Sequence, residues 1–307
     1  MAVKTLVLWL RAARAHFFTA TVVPVLLGAA LAWQRTGTVH WGLLAWTLLG
    51  CLAAHAGANL ANDYYDWKLG CDDDNPHRSP FNGGAGLIQA GILRPAPVLQ
   101  ASLLCYGLAA ACGYVLSLTR GWLIWALGAG GFLVGVLYNA TPFCLAYRGA
   151  GEVLVGLGFG PGLVLGSYFV QTGTITPAAA WASLPVGLLI TTVLYVNELP
   201  DYEADKRAGK RTWVVRLGTA RAARGLRWLL AGIYGSLLGG AACGQLPPMA
   251  LLGLLTVPAA WHIVVMATSF HDRPSALRPA NALTVMLHSV TGLLLTLGVI
   301  MDRVARG

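Results

Sequence analysis

Apolar runs of helix-spanning length recur along the chain, separated by polar segments, and this pattern predicts helices that cross a membrane. The expected spans are residues 15–34, 41–61, 97–118, 121–141, 151–171, 178–197, 224–244, 248–270 and 280–301. Gly and Pro recur inside them (Pro24, Gly28, Gly160-Pro161-Gly162, Pro185, Gly239-Gly240). Membrane helices tolerate such residues where neighbours pack closely, so these read as packing and kink positions. Most connections are short. Two are longer, residues 62–96 and 198–223, and they follow the second and sixth spans. Their separation by four spans suggests two four-helix halves followed by a ninth helix. The expected fold is thus an all-α polytopic membrane protein, one transmembrane domain over residues 1–307.

Composition agrees. The 307 residues are 56% hydrophobic and only 11% charged, against about 25% charged in an average soluble domain. A formal net charge of +9 would ordinarily raise nucleic acid as a partner. Here the positions of the basic residues exclude that reading. With the N-terminus cytoplasmic, all but Arg35, Arg120, Arg303 and Arg306 of the 21 Lys and Arg fall on the cytoplasmic side. That bias sets an N-in orientation, with both long polar segments in the cytoplasm. The start of the chain does not read as a cleavable signal, because Arg11 and Arg14 interrupt the apolar residues before the first long run. The six cysteines show no metal-binding spacing, and only Cys71 is expected near a ligand.

The acidic residues carry the chemistry. All but Glu152, Asp272 and Asp302 of the twelve lie in the two long segments. The first, preceded by Asn59, holds Asn62, Asp63, Asp66 and then Asp72-Asp73-Asp74; the second, preceded by Asn197, holds Glu198, Asp201, Glu203 and Asp205. Asn197, Asp201 and Asp205 are four apart and stack on one face if the helix continues. Pro200 weakens that expectation, since it can kink or end the helix there. Carboxylates are costly near lipid, so the clustering implies a bound cation. A hard divalent ion held by carboxylate and amide oxygens fits, and Mg²⁺ commonly bridges to phosphate oxygens. Lys68, Arg78, Lys206, Lys210 and Arg211 nearby supply the positive charge that a diphosphate needs. A solvated run of acid–base pairs is the plain alternative for either cluster alone. Two clusters sharing an Asn-x-x-x-Asp core at equivalent helix ends argue against it.

These residues resemble the UbiA-type intramembrane aromatic prenyltransferases, a nine-helix family with acidic motifs after helices two and six. Asn62-Asp63-Tyr64-Tyr65-Asp66 matches the first motif, with Gly70 where its last acid would stand and Asp72 two residues later. That displacement is similar to the branch that prenylates 1,4-dihydroxy-2-naphthoate in menaquinone biosynthesis. Asn197-x-x-x-Asp201-x-x-x-Asp205, then Gly209-Lys210-Arg211-Thr212-Trp213, looks like the same branch, as do Tyr138, Pro142, Tyr147-Arg148-Gly149 and Gly151-Glu152. The likeness covers residues 10–220; the last three spans add only hydrophobic pattern. It departs at Ala146, where many relatives carry a basic residue. The loop Phe81-Asn82-Gly83-Gly84-Ala85-Gly86 also looks like this branch, and its glycines let backbone N–H groups approach an anion, though a plain turn accounts for it equally well.

The resemblance implies an enzyme of a bacterial inner membrane, its active site facing the cytoplasm. It would transfer a polyprenyl group from its diphosphate to an aromatic acceptor with Mg²⁺ as cofactor. Asn62, Asp66, Asn197 and Asp201 would be catalytic, and Asp63, Asp66, Asp72, Asp201 and Asp205 would hold metal. Lys68, Arg78, Arg148, Lys206, Lys210 and Arg211 would bind diphosphate. Arg14, Tyr65 and Tyr138 would face the acceptor or the prenyl cation, although interfacial packing is the commoner role of such tyrosines. Another aromatic acceptor is one alternative. An ion-coupled transporter is the alternative of a different class, but it predicts acids near the bilayer midplane.

Overall fold

The computed structural model describes residues 2–70, 75–140 and 142–306. Its α-helices, in chain order, are α1 (Ala2–Ala12), α2 (Thr19–Thr36), α3 (Trp41–Leu69), α4 (Pro95–Arg120), α5 (Leu123–Asn139), α6 (Gly151–Leu157), α7 (Leu163–Thr172), α8 (Pro177–Arg207), α9 (Trp213–Leu217), α10 (Thr219–Ala242), α11 (Val257–Phe270) and α12 (Arg278–Arg306). A π-turn, Gly158–Gly162, joins α6 to α7, and a 3₁₀ stretch, Pro248–Thr256, leads into α11. Among the described residues there is no strand.

Seven helical stretches are long and apolar enough to span a bilayer among the described residues, and they coincide with seven of the nine expected spans. The expected span at 121–141 falls on α5, whose 17 residues reach about 26 Å against a hydrocarbon core of about 30 Å. The one at 224–244 falls on α10, which begins earlier and carries Arg221, Arg224 and Arg227 in its first turns. Those charges lower its hydropathy, although its buried face (Leu226, Leu230, Ile233, Leu237) packs firmly.

The helix α8 is central. Its Leu189, Val196 and Leu199 pack with α10, α11 and α12, while its Ala182 and Val186 pack with α2, α7 and α12. Thr176 starts it, accepting a hydrogen bond from the Ala179 N–H, with Pro177 in the first turn. It does not stop at Pro200, as its sequence allowed, but runs on to Arg207. Proline has no N–H, so the Val196 carbonyl loses its helical partner. The Asn281 amide of α12 takes its place, donating to Val196 O at 3.3 Å. This repair keeps Asn197, Asp201 and Asp205 on one continuous helix.

Candidate active site

Both acidic motifs begin on helix rather than loop. Asn62, Asp63 and Asp66 occupy the last turns of α3, which ends at the left-handed Gly70. The chain returns through residues 75–94 and passes between the two motifs. Asp201 on α8 accepts from Asn75 Nδ2 (2.7 Å), Asn82 Nδ2 (2.6 Å) and the Gly83 N–H (3.0 Å). Two residues on, the Ala85 N–H approaches Asp63 at 3.2 Å. The glycine-rich loop therefore does cradle anions, but they are the protein's own carboxylates. Gly83 has φ 70°, which aims its N–H at Asp201. The Arg78 guanidinium, expected to bind diphosphate, donates to the Gly83 carbonyl at 2.8 Å and shapes this loop.

The four described motif carboxylates divide by what neutralises them. Asp63 is ion-paired with Arg14, and Arg14 also donates to Asn62 Oδ1 at 3.0 Å. Arg14 adopts φ 52°, an uncommon conformation for a side-chain-bearing residue, at the corner between α1 and α2. That corner brings its guanidinium onto α3. Asp205 lies 3.5 Å from Lys210 Nζ. Asp66 and Asp201 have no basic group within ion-pair distance among the described residues. Asp66 accepts from Asn62 Nδ2 (2.9 Å) and from the Tyr147 hydroxyl (3.0 Å). All the hydrogen-bond donors to Asp66 and Asp201 are neutral. Asp72, Cys71 and Thr141 lie outside the described residues.

The basic residues sort similarly. Lys210 leans over the Tyr147 ring, 5.5 Å from its centroid, and so points into the acidic region. Lys206 instead lies over Tyr202 and is exposed, as is Lys68 at the end of α3. Arg148 and Arg211 line an open cavity of about 490 Å³ together with Tyr147, Cys144, Leu69 and Arg216. Tyr147 faces the cavity and also bonds Asp66, so it forms the wall between the two. Arg216, absent from the expected diphosphate set, adds charge near the neutral Ala146. It donates to the carbonyls of Arg148 (2.5 Å) and Arg211 (3.0 Å), and the Arg211 N–H donates to Tyr147 O at 2.9 Å. These bonds fold the basic segment after α8 back over residues 147–149. Gly149 permits the contact: it has φ 70°, and a Cβ there would meet the Arg211 carbonyl at 2.8 Å.

Glu152 and Glu198 belong to the site without having been expected in it. Glu152 is fully buried and accepts the Trp213 N–H at 2.5 Å, and Glu198 is also buried. The bond from Trp213 ties α6 to the start of α9. Tyr138 is half-buried, its ring packed on Gly151, within electrostatic reach of Lys210 and Asp66. Tyr65 packs edge-on against Tyr64. His55 is a buried helix contact to Thr21 at 2.8 Å.

Cys144 is the cysteine at the cavity among the described residues, and the expected Cys71 lies outside them. Burial, the largest effect, raises its thiol pKa, which disfavours the reactive thiolate. A Cys144→Ser protein is therefore expected to retain activity within about twofold; a loss beyond tenfold in a prenyl-transfer assay would contradict this passive role.

A helical membrane protein with two acidic helix ends joined by a glycine loop, which bonds Asp63 of one and Asp201 of the other, is the class defined by this geometry. The model of the UbiA prenyltransferase family matches residues 21–290, and the chain belongs to that family. The 1,4-dihydroxy-2-naphthoate octaprenyltransferase of Bacillus subtilis is 30% identical, over 96% of this chain and 93% of its own length. The enzyme of the same name from Escherichia coli is 32% identical over 96% of both chains. Among solved structures, a UbiA homolog from Archaeoglobus fulgidus bound to DMAPP and Mg²⁺ superposes with a TM-score of 0.67. It is 16% identical, covering 95% of this chain and 99% of that one, and so shares the fold. The family match extends past residue 220 into the last spans, whose sequence by itself shows only hydrophobic pattern.

Proposed function

We propose that this enzyme transfers a polyprenyl group from polyprenyl diphosphate to 1,4-dihydroxy-2-naphthoate, with Mg²⁺ as cofactor and pyrophosphate as product. The observation that carries this reading is the contrast among the acids. Among the described residues, Asp66 and Asp201 are the motif carboxylates with no cation at ion-pair distance, and two curated relatives, at 30% and 32% identity, are named 1,4-dihydroxy-2-naphthoate octaprenyltransferases. A carboxylate offers about four acceptor positions, and Asp66 and Asp201 use two and three of them on neutral donors. Both thus fit a hard cation that takes oxygen ligands. Asp66 and Asp201 would hold Mg²⁺, with Asp72 and Asp205 as further acids of the motifs. An ion held there would supply positive charge to the diphosphate oxygens.

The chain's own residues do the rest. Lys210, and Arg148 and Arg211 at the cavity, stabilise the departing pyrophosphate electrostatically. The allylic C–O bond breaks, its electron pair leaving with the diphosphate oxygen. The aromatic face of Tyr138 stabilises the resulting cation. A ring carbon of the acceptor supplies the electrons for the new C–C bond, and the ring regains aromaticity by releasing its carboxyl group as CO₂. We assign Arg14 and Asp63 to bracing α3 rather than to acceptor and metal, since each already matches the other's charge. The nine-span, N-in topology expected from the basic residues would put the site at the cytoplasmic surface, where water-soluble pyrophosphate can depart.

Purified protein incubated with polyprenyl diphosphate, the naphthoate and Mg²⁺ should yield the prenylated, decarboxylated naphthoquinol by mass, together with pyrophosphate. Transfer at an undiminished rate in excess chelator, or product only with a different ring class, would overturn the assignment.

A further inference from the structure

Three arginines share one cavity without an acid among them. Arg148, Arg211 and Arg216 line the open space of about 490 Å³, and among the described residues no acidic side chain lines it or pairs with any of the three. The chain itself gathers these charges. Arg216 Nε donates to the Arg211 carbonyl at 3.0 Å, and its Nη2 donates to the Arg148 carbonyl at 2.5 Å. Arg148 Nη2 donates to the Pro142 carbonyl at 3.0 Å. The Arg211 guanidinium makes no hydrogen bond or ion pair among the described residues. Like charges held together repel, and a cavity lined by one sign of charge concentrates counter-ions. Guanidinium forks match the oxygens of a phosphate group. A single water needs only about 10–15 Å³ of such space, so the cavity admits a far larger anion.

Position and lining indicate which anion. Tyr147 stands between the cavity and the acidic motifs: it lines the one, and its hydroxyl donates to Asp66 of the other at 3.0 Å. Lys210 leans over the same ring, 5.5 Å from its centroid. Positive charge therefore leads from beside Asp66, past Tyr147, to the three arginines. The walls do not suit a ligand with a long tail. Leu69 is the one bulky aliphatic side chain among the described lining residues, so neither a polyprenyl ester nor a two-chain phospholipid finds apolar burial there. We infer that the cavity is a second anion site, which takes free inorganic pyrophosphate once the allylic C–O bond has broken and holds it without metal. The product then leaves the acidic site for one of opposite charge. The inference rests on the prenyl-transfer reading above for the source of its anion, and adds Arg216 and a metal-independent product site to it.

Equilibrium dialysis of labelled inorganic pyrophosphate against the full-length protein in detergent, with excess chelator, tests this site without metal or turnover. The native protein should bind it saturably, and more tightly than it binds geranyl diphosphate under the same conditions. Arg211→Gln removes a side chain that supports no other contact and should raise the pyrophosphate Kd about tenfold, the scale of one charge-assisted hydrogen bond. Arg211→Lys, which keeps the charge, should raise it less. Asp66→Asn should bind pyrophosphate no more weakly than the native protein does, because the acidic site takes no part. Absence of metal-free binding, or equal weakening in Asp66→Asn and Arg211→Gln, would overturn the inference. So would geranyl diphosphate binding as tightly and with the same dependence on Arg211, which would make the cavity part of the substrate site. Arg211-dependent binding of phosphatidylglycerol that pyrophosphate fails to displace would overturn it in favour of a lipid headgroup. Conversely, Arg211-dependent pyrophosphate binding in a protein that transfers no prenyl group to any naphthoate would sustain the inference and sink the function.

Discussion

Asp66→Asn is expected to lower prenyl transfer on the order of a thousandfold, the scale of losing a strong electrostatic contributor in a dry site, while leaving the fold intact. The two partners of Asp66 are neutral, and the Tyr147 hydroxyl, now a donor at 3.0 Å, can rotate to accept from the new amide. The substitution thus removes charge without stranding a buried group. Asp201→Asn should be equally inactive but less stable. Its carboxylate accepts from three donors, and an amide placed there turns one donor toward another. Comparing thermal unfolding with turnover for the two proteins separates charge from scaffold. Full activity in a folded Asp66→Asn protein would remove that carboxylate from the chemistry.

Arg14→Met carries the second large effect, and here the loss is structural. The Asp63 side chain is only 8% exposed and depends on Arg14 for its neutralising charge. Breaking one partner out of a buried pair typically costs about 3–5 kcal/mol, because the other charge is left uncompensated. The single variant should therefore be poorly folded and inactive. Arg14→Met combined with Asp63→Asn removes both charges and should recover much of the stability and activity. If Arg14 instead held the acceptor's carboxylate, the double variant would fold yet show a strongly raised KM for the naphthoate. Acceptor KM in the double variant decides between brace and binding residue.

The same contrasts separate what was legible in the chain from what was not. Spacing alone exposed the two motifs, because Asn and Asp four apart, repeated at the ends of two apolar runs, are costly to place beside lipid without a ligand to neutralise them. It did not expose partners. Asp63 and Asp66 are three residues apart and look alike in sequence, yet one faces Arg14 and the other only neutral donors. That difference arises from the corner at Arg14 and the fold of residues 75–94, neither of which has a periodic signature. Pro200 was legible as a helix breaker but not as a tolerated one, since the group that repairs it is Asn281 of the last helix. Glu152 appeared only as a motif letter; its bond to the Trp213 N–H spans 61 positions. The glycine loop was readable as an anion cradle, but not the identity of its anions.

Above all, Asp66 and Asp201 are assigned to hold a divalent ion together against the diphosphate. Titrating polyprenyl diphosphate calorimetrically into the native protein and into the doubly substituted Asp66→Asn, Asp201→Asn protein, each with Mg²⁺ and with chelator, tests that pairing most directly. Tight binding is expected only in the native protein with Mg²⁺, and weak binding in the other three cases. Equal affinity in all four would contradict the assignment.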